Sequence, residues 1–253
     1  MTENVPPVLP SAVDGLAAFA ALDEQAAAPL RHALELAAAD APLEADDAAR
    51  LAEPYLLLLD ALGDGVKLTS AGHLPAAVVR TVAERTGVIE WADGNCNQEA
   101  RTPAVPQLRS TARAAGLVSL RKGRLAPTGA ARRMAGDPVA RLHHLLARLP
   151  LGKDGFEKDA GWAALIVVGS GEPAQRWLRE ASELLYARGW RSSADAWAPP
   201  APFNPTLDTL QLLAGAARTP WPEVTGTDEA LAALARSALA RSELARSEPA
   251  AGA

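Results

Sequence analysis

Four residues, Val66-Lys67-Leu68-Thr69, limit what this chain can fold into. They alternate in polarity and end in β-branched side chains at both sides, the pattern of a short strand. Gly63 and Gly65 stop the leucine-rich segment before them, and Ser70-Ala71-Gly72 turns the chain after them. A lone strand leaves its amides and carbonyls without partners, so this one requires a second extended segment. LVSLRKGRLAPT, some fifty residues later, supplies it as a hairpin. Leu117–Leu120 and Arg124–Ala126 flank a tight turn at Arg121-Lys122-Gly123.

The segments around these strands read as helices. Residues 11 to 40 form one or two, divided at Pro29, with Leu16, Phe19, Ala20, Leu22 and Leu30 facing inward. The next helix starts near Asp46 or Asp47, acids suited to a helix N-terminus, and passes Pro54. A further helix opens at Pro75 and ends at Gly87, and another runs from Val105 to Gly116. Thr128 caps one after the hairpin. The order helix, strand, helix, helix, strand, turn, strand is that of a winged helix-turn-helix. The expected fold is therefore mainly α with a small three-stranded sheet. A winged helix-turn-helix core at 50–136 is flanked by a helical N-terminal segment at 11–49 and a helical C-terminal region at 137–225. Leu142, Leu145, Leu146 and Leu149 make one apolar stripe in that region, and 198–205 is a proline-rich connector. Residues 1–10 are expected to be disordered. The low-complexity tail at 226–253 is expected to be frayed or disordered, because its five-residue LARS repeat does not match the 3.6-residue helical turn.

Charge is distributed unevenly. The net charge is −5, yet residues 101 to 136 carry Arg101, Arg109, Arg113, Arg121, Lys122, Arg124, Arg132 and Arg133 and no acid. Residues 1 to 60 carry eleven acids against Arg31 and Arg50. A local surplus of this kind decides what docks where. The helix at 104–115 is the candidate recognition helix. Val105, Leu108, Ala112 and Ala115 share its buried side, Gln107, Ser110 and Ala114 lie opposite, and Arg109 and Arg113 form a flank. Small polar groups at the centre with arginines at the side suit a helix entering a major groove and gripping phosphates. Arg121, Lys122 and Arg124 place a basic wing against the backbone. The expected function is DNA binding, in a transcriptional regulator, through Gln107, Arg109, Ser110, Arg113, Arg121, Lys122 and Arg124. Double-stranded DNA is the expected partner. A protein-interaction module built on the same fold is the alternative, and a homodimer is a further option.

Other chemistries find little support. DGNCN at 93 to 97 resembles the start of a calcium loop, but Gln98 stands where glycine is needed and Ala104 where glutamate is needed. Asp93, Asn95 and Asn97 fit turn formation instead. His143 and His144 are adjacent and point about 100° apart on a helix, so they do not share a zinc-binding face. Cys96 has no histidine at a recognisable spacing, and Gly169-Ser170-Gly171 lacks the residues of a phosphate loop. No cofactor, metal or catalytic residue is expected. No segment is apolar enough for a membrane span and MTENVPPVLP lacks a signal-peptide pattern, so a cytoplasmic location is expected. The six tryptophans read as core or interface anchors, with Trp91, in the sixteen-residue connection at 88–103, the one that stands apart.

Residues 55 to 150 also resemble a known family. The stretches LLLLDALGDGVKLTSAGHLPAAVV, TPAVPQLRSTARAAGLVSLRKGRLAPTGAARRMAGDP and RLP, with DAGWAALIVV further on, are similar to a region of uncharacterised actinobacterial proteins. That region is often found beside the domain named after a Ri-plasmid open reading frame, the ORF-three-like domain. The resemblance implies a winged-helix-like core and no particular activity. GNCNQEARTP departs from the more charged form of that loop, so no role for the loop carries over.

Overall fold

The computed structural model describes residues 15–40, 43–92, 94–153, 155–195, 197–221 and 223–247. The expected disordered stretch at 1–10 and the calcium-loop-like Asp93 lie outside them. In chain order the elements are α1 (Leu16–Ala20), α2 (Glu24–Ala37), α3 (Ala45–Leu62), β1 (Val66–Lys67), α4 (Ala76–Thr86) and α5 (Val105–Ala114). The chain continues with β2 (Val118–Arg121), β3 (Arg124–Pro127), α6 (Gly129–Arg133), α7 (Pro138–Leu146) and α8 (Gly155–Gly169). It ends with α9 (Trp177–Ala187), α10 (Pro205–Leu213) and α11 (Glu229–Ser247). The protein is mainly helical with one small antiparallel sheet. Among the described residues no helix is long and apolar enough to cross a membrane.

The chain divides into two compact units. One comprises residues up to 43, 149–207 and 225 onward; the other comprises 44–148 and 208–224. These boundaries differ from the expected 50–136. α7 joins the sheet-bearing unit by packing on α3, with Leu142 and Leu145 buried.

In the first unit α8 is buried on all sides from Asp159 to Gly169 apart from the half-buried Trp162, and α2, α9 and α11 pack around it. Glycine at 161 is what lets neighbours close in. A Cβ there would lie 2.7 Å from Pro150 Cβ and 2.7 Å from Thr206 Oγ1. Three expectations are corrected here. Pro29 does not divide a helix: it sits inside α2, and the break falls at Asp23, whose carboxylate accepts from Ala26 N (3.0 Å) as an N-cap. Of the five residues expected inward, Ala20 is exposed and Leu22 half-buried. The LARS tail, expected to be frayed or disordered, forms α11 as far as Ser247, and its last residues, 248–253, lie outside the described ones. Its leucines do spiral, but Leu231, Leu234 and Leu239 are all buried, and α11 packs against both α8 and α2. Buried Arg236 pins it through a bidentate pair with Asp40 (2.6 and 2.8 Å), a contact to Glu229, and the Gly169 carbonyl (3.3 Å).

In the second unit the sheet order is β1-β3-β2. Val66 faces Leu125 and Lys67 faces Arg124, while Leu120 and Arg121 face the same two residues from the other edge. The strand expected at 66–69 is thus two residues long, and Leu68 N continues it by donating to Gly123 O (2.8 Å). Gly65 makes this approach possible. Its φ is +113°, and a Cβ there would lie 2.5 Å from Ala126 Cβ and 2.9 Å from Leu125 O. α3 contacts β3, α5 contacts β2, and α4 packs on α3 and α5; the buried core of this unit includes Tyr55, Leu58 and Leu62 from α3, Val79 and Val82 from α4, and Leu108 and Ala112 from α5. Gly65→Ala combines backbone strain with a collision on the partner strand. It is expected to cost about 3 kcal/mol or more, read as a fall in the urea midpoint at unchanged slope.

Candidate functional site

The β2–β3 hairpin closes through Lys122 (φ +49°) and Gly123 (φ +73°). Positive φ at both central residues is the two-residue turn that matches strand twist. Glycine takes this conformation freely, whereas a lysine there is held at some cost. Arg121 lies directly opposite Arg124, and like charges in that position destabilise a strand pair. The Leu68 bond to Gly123 O braces the tip against β1. Arg121, Lys122 and Arg124 are all exposed on this stiff turn.

α5 starts after Ala104, which sits at φ +61°, and has a proline in its first turn. Val105, Leu108, Thr111 and Ala112 are buried, while Gln107, Ser110, Arg113 and Ala114 are exposed. Thr111 ties the helix inward. Its hydroxyl donates to the Gln107 carbonyl (2.8 Å) and accepts from the Tyr55 hydroxyl (2.9 Å), which also lies 3.4 Å from Thr209 Oγ1. Burial pushes the Tyr55 phenol up to about 12, so it stays a donor.

Arg109 does something other than flank a groove. Its Nε lies 3.0 Å from Glu99 Oε1, and its Nη1 donates to Glu99 Oε2 (3.0 Å) and to the Gly72 carbonyl (3.0 Å). Glu99 is buried and also accepts from Leu74 N (2.7 Å), with His73 Nδ1 at 3.6 Å. One carboxylate therefore fastens the turn before α4, the 88–103 connection and α5. Sequence reading missed Glu99, although it is the only acid between the Asp93 region and α5. By contrast, Arg113, Arg121, Lys122, Arg124, Arg132 and Arg133 are exposed, and none is paired with an acid among the described residues.

Beside the N-terminal end of α5 lies a cleft of about 240 Å³. Trp91, Gln107, Asp208, Gln211 and Trp221 line it together with Pro103, Ala104, Leu212, Ala216 and Pro220. Trp91 Nε1 donates to Ala217 O (3.3 Å), and Glu53 pairs with Arg218, so the 208–224 segment is fixed against the unit. Burial pushes the Asp208 carboxyl up to about 6. Among the described residues nothing hydrogen-bonds to it or pairs with it. Sequence spacing gave no sign of Asp208, because it reaches the cleft only through the tertiary return of α10.

The described residues contain no group of three histidines, cysteines or acids that could hold a metal. His143 is exposed, whereas His144 Nε2 sits 3.0 Å from Ala115 O and its Nδ1 3.1 Å from Arg148 Nη1. Burial, then the Arg148 charge, hold the His144 pKa below its ordinary value. Cys96 is buried at φ +43°.

Two outcomes are expected. Glu99→Ala strands the partly buried Arg109 and leaves Leu74 N unpaired, so it costs about 3 kcal/mol in denaturant unfolding. Asp208→Asn acts in the opposite direction. The folded-state pKa lies above the unfolded value, so folding binds a proton between about pH 4 and about pH 6 and stability falls as pH rises through that window. Above it the cost of the buried charge is complete, so the amide is expected to add about 2 kcal/mol near neutrality and nothing near pH 4, measured by thermal melts across pH.

No family model, curated protein or solved structure gives a significant match to the chain.

Proposed function

We propose that this chain is a DNA-binding protein of winged-helix type, acting as a transcriptional regulator. The order of α3, β1, α4, α5, β2 and β3, with β3 central in the sheet, supports that fold reading. In it α5 enters the major groove, Gln107 and Ser110 face base edges, Arg113 grips phosphate, and the hairpin is the wing. Arg109 is left out, because Glu99 already neutralises it.

The observation that carries the reading is the hairpin tip. Three exposed cations within four residues, two of them directly across the ladder, repel each other and gain from a polyanion. Ile89 and Leu120, each 38% exposed, favour a second reading in which the same module docks a protein. A salt titration on random duplex DNA separates the two. Four phosphate contacts, from Arg113 and the three tip residues, predict a slope of log affinity against log salt of about −3.6. Arg121→Ala/Lys122→Ala/Arg124→Ala is expected to reduce it to about −1. Equal affinity and slope in both proteins would remove the wing from DNA binding and favour the docking module.

A further inference from the structure

The cleft beside α5 contains a carboxylate that works against its own fold. Asp208 is half-buried in the first turn of α10, has no hydrogen-bond or ion-pair partner among the described residues, and faces a lining otherwise made of indoles, prolines, alanines, a leucine and two primary amides. A buried charge without a counter-charge is a cost that core packing alone does not justify. The cost is offset when a cation arrives from outside. The rest of the lining narrows what kind of cation. A calcium or magnesium ion needs several hard oxygen ligands, and only one carboxylate is present. Anions are repelled by Asp208. Trp91 and Trp221 supply aromatic surface that attracts alkylated or delocalised positive charge, which is cheap to desolvate. The volume of about 240 Å³ is below that of a drug-sized site, so the guest is small.

We infer that this cleft is a binding site for a small organic cation, whose alkylammonium or guanidinium head pairs with Asp208 between Trp91 and Trp221. Gln107 and Gln211 provide hydrogen bonds for the polar remainder of the guest. The site shares Gln107 with the proposed recognition helix but none of the hairpin-tip cations, so titration without DNA tests it apart from the DNA-binding reading.

The test is calorimetric titration of the intact protein with choline and with guanidinium, against sodium at matched ionic strength, and with 3,3-dimethylbutan-1-ol as the uncharged isostere of choline. Saturable binding of at least one cation is expected, with no binding of the alcohol. Asp208→Asn is expected to weaken it at least about tenfold, and Trp221→Ala by a similar factor. The asparagine variant carries its own control, because it is expected to be more stable than the parent and lost affinity cannot then be lost folding. Three results would overturn the proposal: no saturable binding of either cation, equal binding of the alcohol, or undiminished affinity in Asp208→Asn. A lysine- or arginine-bearing peptide that outcompetes choline would assign the cleft to a partner protein's side chain and overturn the small-molecule assignment.

Discussion

The pairing of Val66 and Lys67 with Leu125 and Arg124 joins two parts of the sheet-bearing unit that are far apart in sequence. Without it the β2–β3 ribbon would be an isolated hairpin, marginal in water. With it the ribbon becomes two strands of a three-stranded sheet whose central strand contacts α3, and the turn at 122–123 is held from the side by Leu68. The absence of a side chain at Gly65 permits the close approach, so backbone geometry at one position sets where three cations stand.

Both units use a buried or nearly buried ion pair at a junction of elements. Glu99 with Arg109 joins the connection at 88–103 to α5, and Arg236 with Asp40 joins α11 to the end of α2. Such pairs add little net stability over apolar packing, but they penalise wrong arrangements, because a mispaired member would be a bare charge away from water. Asp208 is less deeply buried than Glu99 or Arg236, yet it has no such partner among the described residues, which separates it from the other two.

Much of the architecture was legible because it is local. The period of Val105, Leu108, Ala112 and Ala115 identified the buried side of α5, the leucines after Asp137 identified that of α7, and the turn residues located the hairpin. What escaped is set by contacts distant in sequence. Pro29 is a strong local break signal, yet the packing of Ala27, Leu30 and Ala33 against α8 and α11 carries the helix through it. The tail has no single apolar stripe, and only the presence of two neighbours makes its wide buried face useful. In the candidate site, exposure of Gln107, Ser110, Arg113 and the hairpin cations followed from pattern. The neutralisation of Arg109 by Glu99 and the position of Asp208 did not, because neither partner lies at helical or ladder spacing.

Five residues turn an α-helix by about 140°. The arginines of successive LARS units therefore occupy different environments: Arg236 is buried in an ion pair, whereas Arg241 is exposed. Because the ion-pair anchor lies in the first copy and buried Leu239 opens the second, a change in length after Leu239 would lengthen or shorten α11 without rotating the part that holds it to the core. The repeat can thus vary in number while its attachment to the protein stays fixed.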